Sequence, residues 1–373
     1  MANFLAELKR HHIFRVATGY IALSWLLLHV FYRLESLLKL PERTHTLVLE
    51  LLVAGLPVTV LFAWMNPLAI GVVAWSTVII WSRWGTTRSR ANAFVIRGIV
   101  YSTHGYLDRA IHDFDEAIQL DPKDAVPFYN RGLAFIAKEN NDRAMEDLDE
   151  AIRLDPRDVD AFRNRGLLYG AKGDTARAIE DFDEAIRLNQ SDAMTFAIRG
   201  SVYRVKGELD LAIKDFDEAI RLDPNLADAV GDRGVIYDMK GDYERAMSDY
   251  NQAITLNPND SITFCNRGEA YRAQGDSARA IQDFDEAIRL DPNFTGAWRS
   301  RGTAYASQRH YAQAIHDYDE ALRLTPDSAV ALYGRGVAKL KSGDEAGGST
   351  DLAAAASIEP NISETAAKLG IVR

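Results

Sequence analysis

The sequence contains very little cysteine: Cys265 is the single cysteine among 373 residues. One thiol cannot form a disulfide within the chain, and it cannot by itself supply a thiolate metal centre. The sequence also lacks a Walker phosphate loop and a glycine-rich dinucleotide fingerprint. Its serine and histidine residues are scattered without a triad-like pattern. We therefore predict that the protein is not an enzyme, and we assign it no catalytic residue, no cofactor and no metal site.

An excess of positive charge is missing as well, since the formal net charge at pH 7 is −10. The charge is unevenly divided: residues 1–90 hold nine Lys/Arg and four Asp/Glu, whereas residues 91–373 hold 34 and 49. Binding to nucleic acid depends on Lys and Arg side chains that neutralise phosphates. The acidic balance of residues 91–373 therefore predicts no nucleic-acid partner.

Long apolar runs occur in residues 1–90, at about 16–32, 46–65 and 67–84. The first run is not followed by a small-residue cleavage site, so we interpret it as a retained span and not as a signal peptide. The second run has about 20 residues, which is enough to cross a bilayer. These runs predict a membrane anchor in residues 1–90 with two or three transmembrane helices. The alternative for residues 67–84 is a segment that lies at the membrane interface.

Short sequences in this apolar region match a known module: Phe4-Leu-Ala-Glu-Leu-Lys-Arg, Val16-Ala17, Trp25-Leu-Leu, Gly55-Leu-Pro57 and Ala63-Trp64. They resemble the N-terminal membrane hairpin of bacterial proteins that join a transmembrane segment to repeats, some with adenylate-cyclase domains. The resemblance implies a multi-pass protein of the bacterial inner membrane, with the lipid bilayer as a partner through residues 16–84. Three spans and a cytoplasmic start would place the following residues on the periplasmic side. We therefore predict that the following residues lie on the periplasmic side. The positive-inside rule favours the cytoplasmic side, which is the alternative.

From residue 91 onward the sequence repeats itself every 34 residues. The dipeptide Arg-Gly recurs at this spacing at 97-98, 131-132, 165-166, 199-200, 233-234, 267-268, 301-302 and 335-336. When each glycine is placed at position eight, alanine recurs at positions twenty and twenty-seven, and a large apolar residue recurs at position twenty-four. Proline closes seven of the repeats, where it ends a helix and forces a turn.

This pattern resembles the tetratricopeptide repeat, a helical hairpin that stacks on its neighbours. The resemblance implies an all-α fold: a right-handed α-solenoid of eight hairpins over residues 91–362, preceded by two or three transmembrane helices. Residues 363–373 are predicted to form a C-terminal capping tail. Gly-acid pairs such as Gly275-Asp276 predict the turn inside each hairpin, because glycine ends the first helix and the acid favours the start of the second.

Two charged positions recur in all eight repeats: Arg at position seven and Asp at position twenty-three. A charge that faces packed helices needs a partner, because an isolated buried charge is strongly unfavourable. We therefore predict that Arg199, for example, pairs with Asp215 of its own repeat or with Asp181 of the preceding repeat.

The resemblance also indicates where a partner would bind, because the first helices of such repeats line the concave face through positions two, five, nine and twelve. Apolar, Tyr and Arg side chains at these positions are favoured contacts for a protein or peptide partner. The predicted binding residues are Val126, Tyr129, Leu133, Ile136, Arg163, Leu167, Arg204, Arg272, Arg299 and Tyr333. We predict a scaffold that binds a protein or peptide. The alternatives are a structural element that forms homo-oligomers and a regulatory partner of a cyclase-like signalling system.

Overall fold

The structure, a computed structural model, describes residues 87–371. Every regular element within this range is a helix. The helices are α1 Thr87–Thr103, α2 Leu107–Leu120, α3 Ala125–Ala137, α4 Asn141–Leu154, α5 Val159–Ala171, α6 Thr175–Leu188, α7 Ala193–Val205, α8 Leu209–Leu222, α9 Ala227–Met239, α10 Tyr243–Leu256, α11 Ser261–Ala273, α12 Ser277–Leu290, α13 Thr295–Ser307, α14 Tyr311–Leu324, α15 Ala329–Ser342, α16 Glu345–Ile358 and α17 Ile362–Lys368. Each 34-residue repeat therefore supplies one odd-numbered first helix and one even-numbered second helix.

The chain divides into two compact units, and the boundary lies after Leu168, inside α5. In the first unit α1 packs on α2, α2 on α3, and α3 on α4. In the second unit each helix from α6 to α16 packs on the next one along the chain, and α17 packs on α15. This sequential packing confirms the predicted all-α array of helical hairpins.

Small and aromatic residues at fixed positions fill the interior of each hairpin. The alanines at position twenty of the first seven repeats are fully buried, and so are the large apolar residues at position twenty-four of the same repeats. Glycine at position eight permits a close approach: a Cβ at Gly268 would lie 2.7 Å from Cε1 of Phe284. The helices are held together by this burial of apolar area, at ~25 cal/mol per Å².

The turn inside the hairpin has the geometry that the Gly-acid pairs predict. Gly275 adopts a left-handed backbone conformation with φ of 81°, which L-residues with a side chain rarely adopt. Asp276 then caps α12 by accepting a hydrogen bond from the Arg279 amide at 3.0 Å. Equivalent caps from Asp174 and Asp242 begin α6 and α10.

The predicted membrane spans at about 16–32, 46–65 and 67–84 lie outside the described residues. No helix between residues 87 and 371 is long and apolar enough to cross a membrane. The longest of them, α1, has 17 residues and carries Arg88, Arg90 and Arg97, whereas a span needs about 20 mainly apolar residues. This finding contradicts the predicted localisation, a multi-pass protein of the bacterial inner membrane with a periplasmic array. That prediction was wrong.

Candidate functional site

The recurring arginine at position seven forms a bidentate ion pair with the aspartate at position twenty-three of its own repeat. The Nε and Nη2 atoms donate to the two carboxylate oxygens at 2.6–2.9 Å. The pairs are Arg97–Asp113, Arg131–Asp147, Arg199–Asp215, Arg233–Asp249, Arg267–Asp283, Arg301–Asp317 and Arg335–Asp351. The prediction of a ladder inside the repeats is confirmed.

The same arginine has a second partner that the sequence analysis did not predict. Its Nη1 atom reaches position twenty-five of the preceding repeat and not position twenty-three. These contacts measure 2.5–2.7 Å and join Arg131 to Asp115, Arg165 to Asp149, Arg199 to Asp183, Arg233 to Asp217, Arg267 to Asn251, Arg301 to Asp285 and Arg335 to Asp319. Each of these guanidinium groups thus joins two consecutive hairpins, so this face maintains the stack.

In the first unit the predicted binding residues lie on α3 and α5. Val126 and Leu167 expose 48% and 43% of their surface, while Tyr129, Leu133, Ile136 and Arg163 are partly buried. The structure brings the two helices together here, since Nδ2 of Asn164 lies 3.3 Å from the Tyr129 hydroxyl. Burial, followed by the nearby Asp160 and Asp158, raises the pKa of Tyr129 to about 12, so the hydroxyl stays protonated and able to donate.

In the second unit Arg204 of α7 faces α9. Its Nε atom is buried and has no hydrogen-bond partner among the described residues. Its charge acts on Asp232 of α9, whose carboxylate accepts a hydrogen bond from Ser201 at 3.1 Å. Burial raises the pKa of the Asp232 carboxyl above its ordinary value, against the opposing effects of Arg204 and Ser201. Helix α7 therefore carries a charged side chain whose hydrogen bonding within the described residues is incomplete.

Arg272 of α11 and Arg299 of α13 lie further along the second unit. Arg272 pairs with Glu269 at 2.7 Å, and the other oxygen of Glu269 accepts a hydrogen bond from Ser300. Arg299 is partly buried, and its charge acts on Cys265. Burial, and then Glu269, raise the pKa of this thiol to about 12, and Cys265 is only 6% exposed, so it packs in the interior as a small apolar residue.

Position six of the first helix was missed in the sequence analysis, although it supplies polar contacts between neighbouring first helices. Asn164, Asp232 and Ser300 all occupy this position, and each bonds to a residue at position five or nine of the preceding repeat. The sequence contained a signal for it, because a polar residue recurs at position six. Positions six and nine are three residues apart and therefore lie on the same face of the helix.

Tyr333 of α15 was predicted to contact a partner, but only 8% of its surface is exposed. It belongs to an apolar cluster that also contains Val337 and Ile371, so residues after α17 contribute to the surroundings of this side chain.

The repeats are matched by models of the tetratricopeptide repeat at residues 91–124, 131–199 and 261–294, and by a further TPR-repeat model at 200–241, 236–275 and 302–343. The chain is therefore a tetratricopeptide-repeat protein. No curated protein matches the chain significantly.

Solved structures show the same fold. A tetratricopeptide repeat protein from Parabacteroides merdae is 20% identical with a TM-score of 0.55, and the match covers 68% of this chain and 99% of that one. PilF of Pseudomonas aeruginosa is 18% identical with a TM-score of 0.51, over 57% and 97% of the two chains. A chain of the APC/C hetero-tetramer Cut9-Hcn1 is 17% identical with a TM-score of 0.53, over 87% and 59%. At these identities the likeness shows the fold alone.

Proposed function

We propose that the protein is a non-catalytic scaffold that binds a protein or peptide through its first-helix surface. This surface consists of positions two, five, six, nine and twelve of the odd-numbered helices, together with the exposed apolar residues beside them. One observation carries the proposal: large apolar side chains that remain exposed are concentrated on the first helices of the described chain. They are Ile96, Ile99, Val126, Leu167, Met194, Val205, Met239 and Ile262, against Leu211, Tyr243 and Ile358 on second helices. Exposed apolar groups rimmed by polar ones typically mark an interaction surface.

The second helices have a different outer face. Glu and Arg three residues apart recur there and pair with each other, as in Glu218–Arg221 at 2.5 Å and Glu286–Arg289 at 2.5 Å. The same sequence recurs from repeat to repeat, whereas the first-helix positions differ between repeats. A face that varies between repeats can distinguish one ligand from another, and a uniform, internally paired face is suited to solvent.

The chemistry of the surface indicates what the partner supplies. Val126 and Leu167 would contact apolar side chains of the partner, while the guanidinium of the partly buried Arg204 suits a carbonyl or carboxylate acceptor. A polypeptide carries both apolar side chains and hydrogen-bond acceptors, so it can supply what the groups of either unit require.

The proposal is tested by affinity capture with the full chain as bait, using the double variant Val126→Asp with Leu167→Asp. Each substitution places a carboxylate where the partner would bury apolar area, so we expect recovery of the bound protein to fall at least about tenfold. The matched control is Leu211→Asp with Ile358→Asp, which changes exposed apolar residues on second helices and should leave recovery unchanged. Equal losses from both double variants would refute binding through the first helices.

Self-association is a separate outcome of the same experiment. Light scattering over a concentration series of the bait measures its molar mass. A mass that rises with concentration in the native chain but not in the Val126→Asp, Leu167→Asp variant would mean that a second copy of the chain occupies the surface.

A further inference from the structure

The segment after the last helix, Leu369–Ile371, turns sharply back on the protein; we refer to it as the tail. Gly370 adopts a left-handed conformation with φ of 81°. Its amide donates to the Ala367 carbonyl at 3.0 Å, and the Ile371 amide donates to the Ala366 carbonyl at 3.0 Å. This pair of bonds is the Schellman arrangement, which reverses the chain direction and places the next apolar side chain against the protein.

The reversal buries Ile371, which is 5% exposed. Its side chain joins an apolar cluster with Tyr333 and Val337 of α15. Ile371 also lines, with Thr303 and Ala306 of α13, a cavity of about 260 Å³. The tail therefore lies over the first helices of the seventh and eighth repeats and leaves unfilled space beside it.

The tail also reaches the sixth repeat. A Cβ built on Gly370 would lie 2.5 Å from Nη1 of Arg272, a separation that real side chains essentially never show. Position 370 thus favours glycine because of its positive φ, and the Arg272 guanidinium lies close beside it. Arg272 holds that guanidinium in place through its ion pair with Glu269.

These contacts coincide with the positions predicted to bind a partner. Arg272, Thr303, Ala306, Tyr333 and Val337 occupy positions twelve, nine, twelve, five and nine of their repeats. Ile362 and Ala366 of α17 are 3% and 0% exposed, so α17 covers the end of the array. The tail, which follows α17, lies on the first-helix surface.

We propose that the tail is an intramolecular occupant of the first-helix surface of repeats six to eight, and that a partner using these repeats must displace it. Its docking can be tested on this chain alone. The displacement rests on the function proposed above. An occupant held in the same chain acts at a high effective concentration, so it suppresses a competitor of similar affinity.

Docking is tested by hydrogen exchange on the full chain. In the wild type we expect the Ile371 amide to exchange at least about tenfold more slowly than an unprotected amide, because it is hydrogen-bonded and buried. Ile371→Asp and Gly370→Val should abolish this protection. Ile358→Asp, which changes an apolar side chain that is 48% exposed, should preserve it. An unprotected Ile371 amide in the wild type would overturn the proposal.

Occupancy is tested with a labelled synthetic peptide of residues 362–373. We expect it to bind a chain shortened after Pro360, in which α17 and the tail are absent, at least about tenfold more tightly than it binds the full chain. Absence of binding to a shortened chain that still unfolds cooperatively would overturn the proposal. If the shortened chain does not fold, the exchange measurement decides. Neither readout needs an external partner, so failure here is distinguishable from failure of the proposed function.

Discussion

At the scale of single residues, the arginine at position seven explains why the repeats are so uniform on one face. Arg199 contacts the buried Asp215 and the more exposed Asp183, and its Cζ lies 5.6 Å from the ring centroid of Phe196. Burial lowers the pKa of Arg199, but its hydrogen bonds to the two aspartates raise it overall above its ordinary value. A planar guanidinium can make all of these contacts at once, and a lysine cannot.

The sequence predicted only half of this arrangement. The pairing with position twenty-three follows from two charges that recur together in every repeat. The second partner could not be chosen from the sequence, because several acids lie near one another on the second helix. Asp181 and Asp183 differ by two residues, and the rotation of one hairpin on the next decides which of them reaches the following arginine.

The two partners of Arg199 should differ in their energetic coupling. Arg199→Ala leaves the buried Asp215 without its bidentate partner, and we expect it to destabilise the chain by about 3–5 kcal/mol. Combining it with Asp215→Ala should recover part of this loss. The coupling to Asp183, whose side chain is 54% exposed, should be only about 0.2–1 kcal/mol. Denaturant unfolding of the single and double variants measures both couplings, and strictly additive losses for Arg199 and Asp215 would contradict the assignment.

At the scale of helices and turns, the hairpin turn was predictable because it depends on backbone geometry that few residues adopt. Most turns use glycine, but Arg309 takes the left-handed conformation with φ of 64°. Its turn has the same backbone hydrogen bonds as the glycine turns. The Arg309 amide donates to the Ala306 carbonyl at 3.0 Å, as the Gly275 amide does to the Arg272 carbonyl. The repeat thus imposes the conformation even where the residue disfavours it.

This turn gives a paired prediction. Arg309→Gly should stabilise the chain by about 1 kcal/mol. The left-handed conformation costs a residue with a side chain about 1–2 kcal/mol, and glycine avoids this cost. Part of the gain is offset because glycine loses more backbone entropy on folding. Gly275→Ala should destabilise it by about 1–2 kcal/mol. No atom lies within 4 Å of a Cβ at Gly275, so the effect there is purely conformational. Melting temperatures of the two variants measure these effects, and a lower value for Arg309→Gly would refute the explanation.

At the scale of the whole molecule, the 34-residue period predicted the hairpins and their cores, because the same residue types recur at the same positions of the repeats. The path of the tail was not predictable, since Gly370 and Ile371 lie after the last repeat and follow no period. That path contributes to the burial of Tyr333. The localisation was wrong because it relied on apolar runs and a resemblance before residue 87, whereas no described helix could cross a membrane.

The central claim, that a partner binds to first helices, is tested most directly by site-specific crosslinking to the captured protein. A photoreactive residue at Leu167 or Ile262, both exposed on first helices, should form a crosslink to the partner. The same residue at Leu211 or Ile358, exposed on second helices, should form none. Crosslinks from Leu211 and Ile358 in the absence of any from Leu167 and Ile262 would contradict the account.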